Sequence, residues 1–537
     1  MARREARGDV DAIVVGSGMG GLTAAGLLAR LGGKRVLVLE RHWRAGGFTH
    51  TFERKGGYRW DVGLHYVGDL SGRSLEADVF RLATGGAVRW TRMADPFERL
   101  SFPGLEFAIR SGREAFLEDL CRAFPGEADG ARAVLGDVSA ATSYLGILAM
   151  RSLAPRAVAR AAEALRWRVR RLALSTTREV LERRVRSPGL RAILGSRWGD
   201  YGLPPAQSAF AAHAMIVAHY FRGGFYPVGS AAVIAEGARG VVEAAGGEVR
   251  VRAPVEGILV RQGRAAGVRL EGGEEIAAPL VISDAGARNT YLRLLGPEVR
   301  VPFRDELRRI PPSASVATLY LGLSRSPASL GVSGENFWIH DSLDHDDMAA
   351  RAGEILEGRP PHVYLSFPSM KDPEARAHTA EIIAPLDASA LSRWAGTAWK
   401  RRGAGYEQLK ERIADGMLAA VERRLPGFSS LVAYRELSTP LSSEGFTAHP
   451  GGEIYGLPLT PARFRLPWLG ARTPVPGLFL AGADALSLGI VGAMMGGALS
   501  AASAEGLALM RRIRQEAGRL SDAGPRSTPG ATSPSSA

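Results

Sequence analysis

Val10-Asp11-Ala12-Ile13-Val14-Val15-Gly16-Ser17-Gly18-Met19-Gly20-Gly21 is followed by Leu22, Ala25, Leu28 and Ala29 at helical spacing, then by Arg35-Val36-Leu37-Val38-Leu39-Glu40. This stretch decides the fold. A β-branched run, a glycine turn, an amphipathic helix, a second apolar run and an acid occur here in the order of a βαβ dinucleotide unit. Gly16 permits the tight turn, Gly18, Met19 and Gly20 bring backbone close to a pyrophosphate, and Gly21 lets the helix pack against the strand. Amides at the helix start aim the positive end of the helix dipole at the phosphates. Glu40 is placed to accept from ribose hydroxyls, and its charge opposes a 2′-phosphate. Arg41 reads either as a solvated charge or as an adenine-side contact, and Arg44 joins the set of candidate cofactor contacts.

A chain of 537 residues with 46% hydrophobic and 23% charged content is long enough to bury a large core and to divide into domains. Its one cysteine, Cys121, excludes an internal disulfide and a thiolate metal cluster, and no His/Asp/Glu spacing resembles a metal site. The short basic start, Met1 to Gly8, has no secretory pattern, and a cytoplasmic location is expected, with no transmembrane helix. Leu486 to Ala504 is free of charge but rich in Gly, Ala and Ser, so a buried helix against a ligand is expected there. The net charge of +13 is concentrated around Arg151, Arg156, Arg160, Arg166, Arg168, Arg170 and Arg171, interleaved with Leu153, Val158, Leu165, Trp167 and Val169. Such a basic amphipathic stretch suits a peripheral contact with anionic lipid; the alternative is a solvated helix face. Without a DNA-binding motif or an aromatic stacking platform, nucleic acid is not expected as a partner.

Further apolar runs extend the nucleotide unit. Pro227-Val228-Gly229-Ser230 precedes a helical pattern, and strand-like runs follow at 248–251, 255–260, 266–270 and 280–285, the middle two as a hairpin-like pair, all expected to add to the first sheet. Gly477-Leu478-Phe479-Leu480-Ala481-Gly482-Ala483-Asp484 is one more strand, with a glycine-rich helix behind it. The expected fold class is α/β: a discontinuous Rossmann-like FAD/NAD(P)-binding domain from residues 9–70, 227–288 and 475–515. A second, α+β substrate domain takes 71–226 and 289–474, its first part mostly helical, and 519–537 is expected to be a disordered tail.

A second glycine-rich strand-to-helix turn at the far end of the chain points to FAD rather than NAD, because the isoalloxazine reaches far from the adenine. Gly46, Gly47, Val255, Gly482 and Asp484 are the expected contacts along the cofactor. Gly492, Ala493 and Met494, at the start of the last glycine-rich helix, are expected at the flavin O2 edge. For Asp484 the alternative is a helix N-cap.

Gly46-Gly47-Phe48-Thr49-His50-Thr51-Phe52 and Trp60-Asp61-Val62-Gly63-Leu64-His65-Tyr66-Val67-Gly68 resemble the retinol saturase branch of the phytoene desaturase and carotenoid isomerase superfamily. Pro227-Val228-Gly229-Ser230, Thr439-Pro440 and Tyr455-Gly456-Leu457 are similar too. Phe48 stands where amine-oxidase relatives carry arginine, which argues against amine oxidation. The resemblance implies FAD chemistry on the carbon–carbon double bonds of a hydrophobic isoprenoid or polyene, with NAD(P)H as a candidate external reductant. Saturation, desaturation and redox-neutral cis–trans isomerisation all remain open, as does a flavin-less prenyl-lipid carrier on the same fold. His65 and Tyr66 are the leading candidates for a general acid or base, with His65 also a candidate flavin contact; Glu453 and Tyr455 come second.

Overall fold

The computed structural model describes residues 10–68, 70, 72 and 74–522. The basic start and residues 523–537 of the expected tail lie outside the described residues. Residues 519–522 continue the helix Leu507–Asp522, so helix runs past the expected onset of the tail.

Five parallel strands form the nucleotide sheet, in the order Leu478–Leu480, Leu280–Ser283, Ala12–Val15, Val36–Leu39 and Glu248–Arg250. Because side chains alternate along a strand, the sheet serves two cores at once. Ala12, Val14, Val36 and Val38 pack on helices through Leu22, Ala238, Met494 and Ala498. Ile13, Val15, Leu37 and Leu39 pack on the other side against Ile258, Val268 and Leu270. Those last three belong to the strands Val255–Arg261 and Arg264–Leu270, which with Glu275–Ala277 form their own three-stranded antiparallel sheet. The expectation that these runs extend the first sheet is therefore corrected. Strands joined by tight turns pair antiparallel with one another, whereas adding to a parallel sheet needs a crossover.

The second sheet has seven strands, in the order Val432–Ser438, Val316–Leu323, His378–Pro385, His362–Ser366, Asn336–His340, Glu98–Phe102 and Leu105–Ile109. The last two come from the segment expected to be mostly helical, and Glu98–Phe102 pairs parallel with Asn336–His340. One face packs on the helix Ala404–Arg424 through Leu319, Leu321, Val363 and Ile382. The opposite face presents Thr318, Tyr320, Trp338, Tyr364 and Ile383 to a cavity shared with the nucleotide domain. Helices between Arg113 and His219 pack around Leu120, Leu135, Val138, Leu190 and Phe210.

The uncharged run near the C-terminus forms the helix Gly489–Glu505, its small residues buried against Met19–Arg30. Side chains at Gly496 and Gly497 would strike the carbonyls of Gly482 and Gly20, so glycine is what lets this helix lie on both turns. Among the described residues one helical run, Pro125–Leu153, is long and apolar enough to cross a membrane by length and composition.

Candidate functional site

Two glycine turns meet at the carboxyl ends of the parallel strands. Gly16 is at φ +97° and Gly482 at φ +73°, backbone conformations that L side chains rarely adopt. A side chain at Gly20 would strike the Gly482 amide, and one at Gly21 would strike the Gly16 carbonyl. The second of these is the close helix–strand packing expected of Gly21. The turn Gly46-Gly47 closes over the first: the Gly46 amide donates to the Ser17 carbonyl at 3.1 Å, and a side chain at Gly47 would lie 3.1 Å from the Gly18 Cα. Glu40 accepts from the Ser17 amide (2.9 Å), the Ser17 hydroxyl (2.7 Å) and the His42 amide (2.7 Å), which holds its carboxylate at the strand end.

Neither Met19–Arg30 nor Gly489–Glu505 is capped by its own N-cap side chain, and both helix starts point their positive dipole ends toward the cavity, where an anionic or electron-rich ligand is favoured. With the side-chain-free glycine cradle and Glu40, these residues fit a flavin dinucleotide.

Asp284 was not legible as a site residue. It follows the buried strand Leu280–Ser283, and its carboxyl sits where side chains on Gly18, Gly20 or Gly482 would have to be. Burial pushes this carboxyl up to about 7, with the Glu40 and Asp484 charges adding to the rise and the Gly21 and Gly18 amides opposing it.

Asp484 accepts from the Ala287 amide (2.7 Å) and the Leu457 amide (2.8 Å) and faces Arg463 at 3.4 Å. It ends the short turn Gly482–Asp484, and Leu488 occupies the N-cap of the next helix, so the capping alternative does not hold. Asp484 ties the flavin-side turn to the segment around Tyr455.

One cavity of about 840 Å³ runs from these turns to the seven-stranded sheet. Gly16, Gly18, Met19, Gly20, Glu40, Arg41, Arg44, Gly46, Gly47, Val255, Gly482, Asp484 and Ala493, all put forward from the sequence as cofactor contacts, line it. Gly492 and Met494 do not. Gly492 packs on the Ser487 carbonyl, and Met494 is fully buried against the dinucleotide helix, since each is turned about 100° around the helix from Ala493, to either side of the face that Gly489, Ile490 and Ala493 present to the cavity. At the outer end, Trp43 stacks on His42 with ring centres 3.9 Å apart and meets Phe446 edge-on.

The hairpin Thr51–Arg54 with Tyr58–Asp61 delivers the chain to His65 and Tyr66, both on the cavity wall. It is anchored by Trp60, whose indole donates to the Leu321 carbonyl at 3.0 Å. His65 Nδ1 pairs with Glu381 Oε2 at 2.7 Å, leaving Nε2 as the ring nitrogen available to the cavity. Behind it, Lys371 Nζ donates to the His65 carbonyl (2.9 Å), Asn336 Oδ1 (2.5 Å) and Ser366 Oγ (2.7 Å). Burial lowers the Lys371 ammonium to about 7, against the opposing pull of Glu381, Asp61 and Glu98. Asp61 accepts from the Tyr226 hydroxyl and the Ala231 amide, and burial together with the Glu381 charge pushes it up to about 7.

Tyr66 donates to Glu98 Oε1 at 2.5 Å and lies 3.3 Å from Asp200 Oδ1. Arg197 donates to both the Tyr66 hydroxyl (2.9 Å) and Glu98 (2.7 Å), and the Tyr66 ring stacks on Tyr220 at 4.4 Å. Desolvation, reinforced by the Asp200 and Glu98 charges, raises the Tyr66 phenol well above its ordinary value, so it is neutral. Asp200, also on the cavity wall, is pushed up to about 7 by burial despite Arg197.

Of the second-rank candidates, Tyr455 lines the cavity and donates to the Gly199 carbonyl at 3.3 Å. Glu453 does not reach it. Its carboxylate turns away to Arg288 (3.5 Å) and the Ser313 amide (3.2 Å). Sequence reasoning missed Glu98, Arg197, Asp200, Lys371 and Glu381, which converge on His65 and Tyr66 from four distant segments.

The family model described as flavin containing amine oxidoreductase matches residues 19–504. All-trans-retinol 13,14-reductase of Danio rerio is 33% identical over 515 residues, 91% of this chain and 84% of that one. Chloroplastic prolycopene isomerase of Daucus carota is 26% identical, over 88% of this chain and 76% of that one. Among solved structures, cyclohexylamine oxidase from Brevibacterium oxydans shares the fold at a TM-score of 0.59 and 18% identity, covering 96% of this chain and all of that one (100%).

Proposed function

This chain belongs to the flavin-containing amine oxidoreductase family and groups within it with the all-trans-retinol 13,14-reductases, and from that premise we propose that it binds FAD and saturates a carbon–carbon double bond of a retinoid-like isoprenoid. Membership makes it a flavin-dependent oxidoreductase. The observation that carries the substrate reading is the continuity of the cavity. It begins at the glycine turns and ends between Val316, Trp338, Tyr364 and Ile383, a wall suited to a hydrocarbon.

Bound flavin supplies hydride chemistry at N5, with electrons from an external donor such as NAD(P)H. The chain's own residues contribute the rest. The glycine turns and Glu40 hold the dinucleotide, and the sheet orients an apolar substrate and keeps water out. Saturation also needs a proton. Tyr66 holds one in the cavity wall, and Asp200, 3.3 Å from its hydroxyl and raised to about 7, carries one in part of the molecules near neutral pH and can restore it. His65, fixed by Glu381, is the second group within the wall able to exchange a proton.

The test is anaerobic incubation of all-trans-retinol or a carotenoid with the reduced holoenzyme, followed by mass analysis. A product heavier by two hydrogens is expected. An isomer of unchanged mass replaces the redox reading with isomerisation, in keeping with the prolycopene isomerase relative. A purified protein without flavin absorbance overturns the catalytic reading in favour of a lipid carrier.

A further inference from the structure

The helices Arg156–Leu165 and Trp167–Ala173 carry more exposed apolar surface than their size warrants. Val158 is 50% exposed, Leu165 85% and Trp167 56%, three of the five large hydrophobic side chains exposed among the described residues. Residues 156–171 contain six arginines and one acid, Glu163. That acid is already paired with Arg151 at 2.5 Å, so it offsets none of the others. Arg160, Arg166, Arg170 and Arg171 are exposed and, among the described residues, make no ion pair with a carboxylate. Arg168 lies over the Trp167 ring at 5.4 Å.

Beside these helices is a groove of about 580 Å³ bordered by Trp167, Arg170, Arg171, Thr176, Glu179 and Arg465. Its one carboxylate, Glu179, is consumed in the capping box of the helix Thr177–Arg184, accepting from the Thr176 amide at 2.9 Å. Three guanidiniums from two separate helices therefore face a groove with no free counter-charge.

We propose that this surface docks the protein on an anionic bilayer, with Leu165 and Trp167 entering the interface and the Arg170–Arg171–Arg465 groove receiving phospholipid phosphate. Each half of the surface has the chemistry its counterpart in the bilayer needs. An exposed leucine and an amphipathic tryptophan suit the boundary between headgroups and acyl chains, and unpaired arginines suit phosphate. Solvent alone accounts for the arginines but not for a leucine 85% exposed beside them. Arg465 ends the short helix Pro461–Arg465, and Arg463 of the same helix donates to the Ala483 carbonyl at 2.8 Å. The docking surface is thus one short helix from the turn at Asp484.

The inference deepens the isoprenoid reading and rests on it for why a bilayer is the partner. Flotation needs no substrate, however, so turnover without vesicle binding sinks only the docking surface, and vesicle binding without turnover sinks only the substrate reading. The holoenzyme is floated with vesicles of phosphatidylcholine alone and of phosphatidylcholine with phosphatidylglycerol. It should float with the anionic vesicles, remain below with the neutral ones, and be released by salt. Arg170→Glu with Arg171→Glu should lower partitioning by about thirtyfold or more, as removing two basic contacts implies, while the paired Lys variants retain it. Leu165→Glu with Trp167→Glu should also lose binding, keeping flavin absorbance and turnover of detergent-dispersed substrate. Wild-type protein that stays below with both vesicles, or floats equally with the charge-reversed variant, overturns the proposal.

Discussion

The Tyr66 hydroxyl and the Glu98 carboxylate meet at 2.5 Å, although one follows the first hairpin and the other opens a strand of the second sheet. Glu98 is fully buried and also engaged by Arg197, so the pair survives loss of the phenol. Tyr66→Phe should therefore cost no more than about 1.5–3 kcal/mol of stability, the worth of one hydrogen bond to a charged group. It should lower kcat by about a hundredfold if Tyr66 delivers the proton. Steady-state kinetics alongside thermal melting separates the two effects, and an unchanged kcat rules Tyr66 out as the donor.

Lys371 and Glu381 are both buried behind His65, and each moderates the cost of the other's charge. Glu381→Leu alone should destabilise by about 1–3 kcal/mol, because it leaves His65 without its partner and removes a charge that offsets Lys371, whose amine then gives up its proton more readily. Adding Lys371→Met should recover part of that loss, and chemical denaturation of the four-member cycle measures the coupling.

The Asp284 carboxyl has a folded-state value near 7 against 3.8 when solvated. Between those two pH values the folded chain binds more protons at this site than the unfolded chain, so this residue's contribution to stability falls as pH rises. The Asp284→Asn variant lacks that penalty. Its stability relative to wild type should climb by about 1.4 kcal/mol per pH unit through this window and level off above about 7. Flavin-free protein compared at pH 5 and pH 8 tests this, and a constant difference would contradict it.

A methyl group on Gly20 has nowhere to go, since the Gly482 amide occupies its position. Gly20→Ala should push the two turns apart and yield protein with much less flavin per chain, read from visible absorbance. Gly240→Ala, on a helix where the added carbon meets nothing within 4 Å, is the control and should keep its flavin.

The order strand, Gly16-Ser17-Gly18-Met19-Gly20-Gly21, helix, strand, Glu40 determined the nucleotide domain by itself, because each step is a local preference of the backbone. The same holds for the turn at Gly482 and for His65 and Tyr66 on the cavity wall, which follow a short hairpin from the glycine pair. Periodicity was silent on which strands pair. Val255–Arg261 and Arg264–Leu270 read as a hairpin-like pair added to the first sheet, but form a separate sheet of their own. It was equally silent on which way a side chain turns, as Glu453, Gly492 and Met494 illustrate. Only the tertiary structure brought Glu98, Arg197, Asp200, Lys371 and Glu381 onto two adjacent residues. Charges separated by up to several hundred residues leave no spacing to read; what joins them is the burial that makes each depend on the others.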